Sequence, residues 1–256
     1  MFKFFKKRTT SHGSDREDAL RVLSDNSPFA VKEAFRSVYT NIIYMPIEDK
    51  CKKFVITSPC AGEGKTYVSI NLAITIAQNL ESARVLLIDG DIRSPRIEKL
   101  ISTGTHVHGI SEYLAGIDER PNFCDTKVPN LKVLYSGARS ANPTRLINTE
   151  RMNKLFELCE ERFDYVIIDT PPLNLVSDAL LLSDKVSSYL LVSRADYSDV
   201  NTLSLAISRL EQVEAEVGGI ILCNVNPKRI NGKYGTSTKY GRYRKFKYGV
   251  YDYYGK

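Results

Sequence analysis

Residues 53–68, KFVITSPCAGEGKTYV, constrain the fold more than any other stretch of this 256-residue chain. An apolar run (Phe54, Val55, Ile56) gives way to small residues and glycines, then to Gly64, Lys65 and Thr66. Apolar positions at helical spacing follow (Val68, Leu72, Ala73, Ile76). Strand, loop and helix in that order are what a phosphate-binding loop requires. Such a loop turns its backbone N–H groups inward, and the helix N-terminus adds positive potential, so polyphosphate is gripped mainly by backbone. Lys65 is then placed to reach the outer phosphates, and the Thr66 hydroxyl to take a magnesium ion. Pro59 stands where the first glycine of G-x-x-x-x-G-K-[ST] belongs, but Gly62 and Gly64 still relieve the tight part of the loop. A chance glycine-rich turn is the alternative, and the flanking strand and helix argue against it.

The rest of the chain supplies a sheet around that loop. Asn26-Ser27-Pro28 is a helix-start signal, and Phe29–Ile43 places Val31, Phe35, Val38 and Ile42 on one face. Strands are predicted at 84–88, 131–135, 165–168, 188–192 and 219–223, with helices near 110–114, 149–161, 177–183 and 200–213. Ala141-Asn142-Pro143 reads as a turn. Continuous apolar strands alternating with helices predict an α/β fold, a mostly parallel sheet covered on both faces. Ligands of such sheets bind at the carboxyl ends of strands.

Two more motifs sit at those ends. VLLIDGDIR (residues 85–93) ends an apolar run in D-x-D-x-R, and VIIDTPP (166–172) ends one in D-x-x-P. A carboxylate closing a buried strand is costly unless a cation or hydrogen bonds meet it, and phosphate-bound magnesium would meet Asp169. If the strand continues, Asp89 and Asp91 lie on opposite sides of it, so one of them faces the nucleotide directly. A strand-end Asp capping a loop is the bland reading of each motif alone; their coincidence behind a phosphate loop argues against it.

Composition bounds the setting. The length suits one α/β domain with tails. No apolar run approaches the roughly 18 residues that span a bilayer, and no apolar signal core follows the basic start. Five widely spaced cysteines without a C-x-x-C pair predict reduced thiols, and neither a disulfide frame nor a zinc site. The net charge of +6 hides an asymmetry. Residues 228–256 hold nine Lys/Arg against one Asp, and residues 1–8 hold four basic residues and no acid. The 219 residues between therefore carry −6. A flexible basic arm (1–27), a P-loop domain (28–227) and a basic tail (228–256) are the expected divisions.

With these motifs in hand, the chain resembles the bacterial protein-tyrosine kinases (BY-kinases) of capsule and exopolysaccharide operons. The resemblance rests on D-x-D-x-R and D-x-x-P beside a P-loop, and on EAFRSVYTNI (33–42), SGARSANPTRLI (136–147) and SDALLLSDKV (177–186). It covers roughly residues 28–256 and is of the Gram-positive type, in which the kinase is a separate cytoplasmic chain. It implies a P-loop NTPase fold, ATP and Mg²⁺, and a nucleotide site at Gly62, Glu63, Gly64, Lys65, Thr66, Tyr67 and Asn224. The metal falls to Thr66, Asp91 and Asp169, and catalysis to Lys65, Asp89, Asp91 and Arg93, with Asp89 as the base for the phenol. It further implies a homo-oligomeric ring closed through Glu33 and Arg36, although Tyr39 departs from the usual E-x-x-R-x-x-R. A membrane activator of the chain-length-determinant type would recruit the chain to the inner face of the membrane.

The tail carries seven tyrosines in 21 residues: Tyr234, Tyr240, Tyr243, Tyr248, Tyr251, Tyr253 and Tyr254. Its composition cannot bury a core, so it reads as disordered. Basic residues interleaved with aromatics also suit a nucleic-acid-binding arm; behind a tyrosine-kinase signature the tail reads as the phosphorylation substrate. Its charge predicts attraction to the acidic strand ends of a neighbour, and release once about four or five phosphates cancel it. The rival function is a regulatory ATPase of the septum-positioning or partitioning sort. Those proteins carry a lysine in K-G-G-x-G-K-T where this chain has Cys60. Cys60 lies near Lys65 and a helix N-terminus, which would lower a thiol pKa, but a small loop residue is the favoured reading. His106 and His108 read as surface residues, and Phe2, Phe4 and Phe5 as either a membrane-pressing or a solvated arm.

Overall fold

The computed structural model describes residues 22–101, 108–140 and 142–225. The tyrosine cluster, His106 and the first 21 residues lie outside the described residues. In chain order the elements are α1 (Phe29–Ile43), β1 (Lys52–Thr57), α2 (Lys65–Asn79), β2 (Val85–Asp89), α3 (Ile97–Leu100), α4 (Ile110–Leu114), β3 (Cys124–Asp125) and β4 (Leu131–Leu134). Then come α5 (Pro143–Ile147), α6 (Glu150–Arg162), β5 (Tyr165–Asp169), a 3₁₀ turn (Asp178–Leu182), β6 (Ser188–Arg194), α7 (Val200–Glu211) and β7 (Val217–Cys223).

The strands form one sheet in the order β3-β4-β2-β5-β1-β6-β7, parallel throughout except for the β3–β4 pair. Strand alternation sends successive side chains to opposite faces, and both faces are apolar here. Val55, Leu86, Ile88, Val166 and Ile168 pack with α4–α7 on one side. Phe54, Ile56, Val85, Leu87 and Ile167 pack with α1–α3 on the other. That double burial is why the strands read as unbroken apolar runs. The α2 helix is buried along most of its length (Val68 through Ala77) because it crosses the sheet centre beneath α1. The P-loop NTPase architecture is the observed one.

Four short elements depart from the sequence reading. α3 and β3 are too short to show periodicity. The expected turn at Asn142-Pro143 instead starts α5: Pro143 occupies the first turn, and Asn142 Oδ1 accepts the Arg145 N–H at 3.2 Å. The helix expected at 177–183 is a 3₁₀ turn. The described residues through Cys223 form one compact unit; Asn224, with left-handed φ of 55°, and Val225 belong to a second. Among the described residues no helix is long and apolar enough to cross a membrane.

Candidate active site

The phosphate loop joins β1 to α2 at the centre of the sheet. Gly62 (φ 83°) and Gly64 (φ 97°) adopt the left-handed backbone that side chains resist, and α2 begins at the next residue, Lys65. The loop is braced from behind. Cys60 N–H donates to Glu63 Oε2 at 2.7 Å, Ser198 Oγ bonds the other Glu63 oxygen, and the Tyr197 hydroxyl donates to Ala61 O at 3.1 Å. Glu63 is buried, so its carboxylate shapes the loop from inside and leaves ligand contact to its backbone. The Cys60 thiol does not behave as an activated one. Partial burial first, then the nearby Glu63 and Asp199, raises its pKa.

Three carboxylates surround the Lys65 ammonium. Lys65 Nζ lies 3.0 Å from Asp91 Oδ2. Thr66 Oγ1 donates to Asp169 Oδ2 at 2.6 Å, and Ser69 Oγ to Asp169 Oδ1 at 3.2 Å. Asp89 ends β2 directly opposite Asp169 on β5. Its Oδ2 accepts the Ile97 N–H at 3.0 Å, whereas its buried Oδ1 has no partner among the described residues. The strand does not continue past Asp89: Asp91 Oδ1 accepts the Ser94 N–H at 3.0 Å in a turn, so alternation does not separate the two acids. Gly90 permits this crowding, since a Cβ there would stand 2.8 Å from the Asp169 carbonyl oxygen.

Electrostatics follow from the burial. Burial opposes the Lys65 charge, but Asp169, Asp91 and Asp89 together outweigh it and raise its pKa. Burial raises Asp169 against the pull of Lys65. Asp89 is pushed up to about 8, by burial first and Asp169 next. Among the described residues no three His, Cys, Asp or Glu side chains converge as a metal cage. Thr66 and Asp169 therefore fit an ion that takes its remaining ligands from phosphates and water, the usual habit of Mg²⁺.

Arg93 grips protein. Its Nε and Nη2 meet Asp178 Oδ2 and Oδ1 at 2.6 and 2.9 Å, and Thr144 Oγ1 donates to the same carboxylate at 2.9 Å. Asp178 and Thr144 thus join D-x-D-x-R to the segments 136–147 and 177–186, a partnership that spacing in sequence does not reveal. The site opens into a cleft of about 710 Å³. Its walls carry Lys65, Arg93, Arg96, Lys99 and Arg139, with Asp91 the one acidic residue lining it among the described residues. The expected attraction of a basic tail to acidic strand ends is therefore corrected: Asp89, Asp91 and Asp169 are 0%, 5% and 1% exposed, and the surface presented is cationic.

Away from the cleft, Glu33 and Arg36 pair on the exposed face of α1 at 2.7 Å. Tyr39, uncharged and partly buried against the core, supplies no ion pair where the usual pattern has its second arginine. Phe35 of α1 meets the Tyr67 ring edge-on at 5.6 Å, and Tyr67 lines the cleft. His108 is exposed and pairs with Asp118.

A family profile described as an AAA domain matches residues 51–218. The tyrosine-protein kinase CpsD of Streptococcus agalactiae is 36% identical over 216 residues, which is 84% of this chain and 93% of that one. The solved kinase domain of the Escherichia coli tyrosine kinase ETK superposes with a TM-score of 0.73 at 32% identity, covering 86% of this chain and 87% of that chain. The Pyrococcus furiosus cell-division ATPase MinD superposes less closely, with a TM-score of 0.56 at 23% identity over 67% of this chain and 71% of that one, and shares the fold. A P-loop flanked by D-x-D-x-R and D-x-x-P, on this sheet and with these relatives, means that the chain belongs to the BY-kinases, the bacterial P-loop tyrosine-protein kinases.

Proposed function

We propose that this chain transfers the γ-phosphoryl group of ATP to tyrosines of its own tail, 234–254, acting between subunits of a ring. The observation that carries the reading is the Lys65–Asp91 contact at 3.0 Å in the cleft of a glycine-relieved phosphate loop, with the buried Asp89 Oδ1 two residues earlier lacking a partner among the described residues. The loop backbone from Gly62 to Thr66 holds the phosphates, and Lys65 swings from Asp91 to the outer phosphate oxygens. Tyrosine Oη attacks the γ-phosphorus, the bond to the ADP oxygen breaks, and the phenol proton passes to Asp89. Burial keeps that carboxyl largely protonated at pH 7 in the nucleotide-free protein, so the transfer draws on its ionised form and should quicken as pH rises toward about 8. Thr66, Asp169 and Asp91 are the residues that would hold Mg²⁺, which would supply neutralisation of the charge developing on the phosphates. Asn224 follows β7 directly and is proposed to touch adenine.

Glu33 and Arg36, paired and exposed on α1, are proposed as part of the ring interface. Family membership supports regulation of capsular or exopolysaccharide synthesis and export through a membrane activator at the inner face of the membrane. The test is Lys65→Met in the full chain with ATP and Mg²⁺. Phosphotyrosine is expected to vanish while circular dichroism stays that of wild type. Undiminished phosphotyrosine in the folded variant would sink the assignment of the loop.

A further inference from the structure

Strand order divides the cleft in two. The phosphate loop follows β1, and moving across the sheet the next strands are β5, β2 and β4. Neighbouring strands are about 4.8 Å apart, so the end of β2 lies about 10 Å and the end of β4 about 14 Å from the loop's own strand. Arg93 and Arg96 follow β2, and Arg139 follows β4; all three line the cleft. The donor nucleotide enters over β1, so the acceptor polypeptide lies over β2 and β4, where Asp91 is the carboxylate that lines the cleft and Asp89 is buried.

The charges on the two sides are not equally committed. Lys65 is matched by Asp91 and Arg93 by Asp178. The side chains of Arg96 and Arg139 are exposed and make no ion pair or hydrogen bond among the described residues. The surplus positive charge therefore sits on the acceptor side. We propose that Arg96 and Arg139 form an anion subsite that takes a phosphotyrosine already present on the acceptor polypeptide. The proposal rests on the kinase reading above and adds an order to it.

Phosphotyrosine offers three acceptor oxygens and a charge of about −1.5 to −2, which suits paired guanidinium forks. The unmodified tail, with nine Lys/Arg against one Asp, is repelled by the same wall. Its tyrosines are closely spaced at 251, 253 and 254. Residues two to three apart in an extended chain are about 7–10 Å apart. β2 and β4 are neighbours about 4.8 Å apart, and Arg139 stands beyond the end of β4, so a phosphate held there leaves a neighbouring tyrosine on the β2 side of the cleft. The first phosphorylation is slow, and those adjacent to it follow quickly.

The experiment measures binding alone. The full chain is loaded with a non-hydrolysable ATP analogue and Mg²⁺, which fills the phosphate loop. Fluorescent peptides of residues 247–256, unmodified or phosphorylated on Tyr254, are then titrated by anisotropy at low ionic strength. Wild type is expected to bind the phosphopeptide about tenfold more tightly, and the ratio to fall toward one in Arg96→Gln/Arg139→Gln. Equal affinity of wild type for the two peptides, or an undiminished preference in the variant, overturns the subsite. Turnover is scored separately as phosphotyrosine formed with ATP. A peptide preference without turnover would keep the subsite and remove the kinase reading, whereas turnover without preference would do the reverse.

Discussion

Removing one partner of the Arg93–Asp178 pair should cost different amounts depending on which partner goes. The Asp178 side chain is 2% exposed and the Arg93 side chain 37%. Arg93→Met leaves a buried carboxylate whose remaining partner is the Thr144 hydroxyl at 2.9 Å. An uncompensated buried charge costs about 3–5 kcal/mol, and one surviving hydrogen bond reduces that to about 2–4 kcal/mol. Asp178→Asn leaves a guanidinium that water already reaches, so solvent screening limits the loss to about 1–2 kcal/mol. A domain of this size shifts by about 2–4 °C per kcal/mol. Thermal melts should therefore fall by about 8 °C for Arg93→Met and about 4 °C for Asp178→Asn. The double variant, with no charge left to bury, should lose less than the sum and less than Arg93→Met alone. Calorimetry at low salt is the assay. If Asp178→Asn proves as destabilising as Arg93→Met, the buried carboxylate is not what the pair compensates, and the reasoning fails.

Two further outcomes follow from the geometry. Glu33→Lys with Arg36→Glu keeps the intrahelical pair while reversing the charge pattern shown to a neighbour; light scattering should report a smaller assembly and the tail should be less phosphorylated in trans, while an unchanged mass would remove α1 from the interface. Asp89 binds its proton more tightly folded than unfolded, so its contribution to stability is fully present below about pH 4 and is lost as pH rises through about 8; Asp89→Asn should gain on wild type steadily across that window, and a melting-temperature difference that does not change with pH would contradict the burial argument.

The sheet and the phosphate loop were legible because their signals are local. Strands buried on both faces leave unbroken apolar runs, and a loop at positive φ leaves glycines at 62 and 64. Elements of two to five residues, such as α3, β3 and α5, carry no period to read. At the site the acids were legible as strand-end motifs, but their partners were not. Asp178 meets Arg93 across 85 residues, and Ser198 meets Glu63 across 135. Glu63 reads as a ligand residue in the motif, yet folding turns its carboxylate inward to hold Cys60 N–H.

Charge was the least transferable reading, and the reason is burial. A body summing to −6 suggests an acidic face, but formal charge counts Asp89, Asp91 and Asp169 as though solvent saw them. One of these is held by Lys65, one is bonded by two hydroxyls, and one favours its neutral form at pH 7. The basic residues left facing solvent at the cleft are Arg93, Arg96 and Arg139, on the segments after β2 and β4, and Lys99 in α3. Charges spread over the rest of the surface act through a screening length of about 8 Å at physiological salt, so the groups in contact decide what the cleft accepts. On the proposed reading, net charge would govern how two such chains approach, whereas Arg96 and Arg139 would govern which tail is retained. A phosphorylated tail can be repelled by the neighbour as a whole and still be held at its active site. That competition, resolved at different salt concentrations, is how assembly and tail modification would regulate each other.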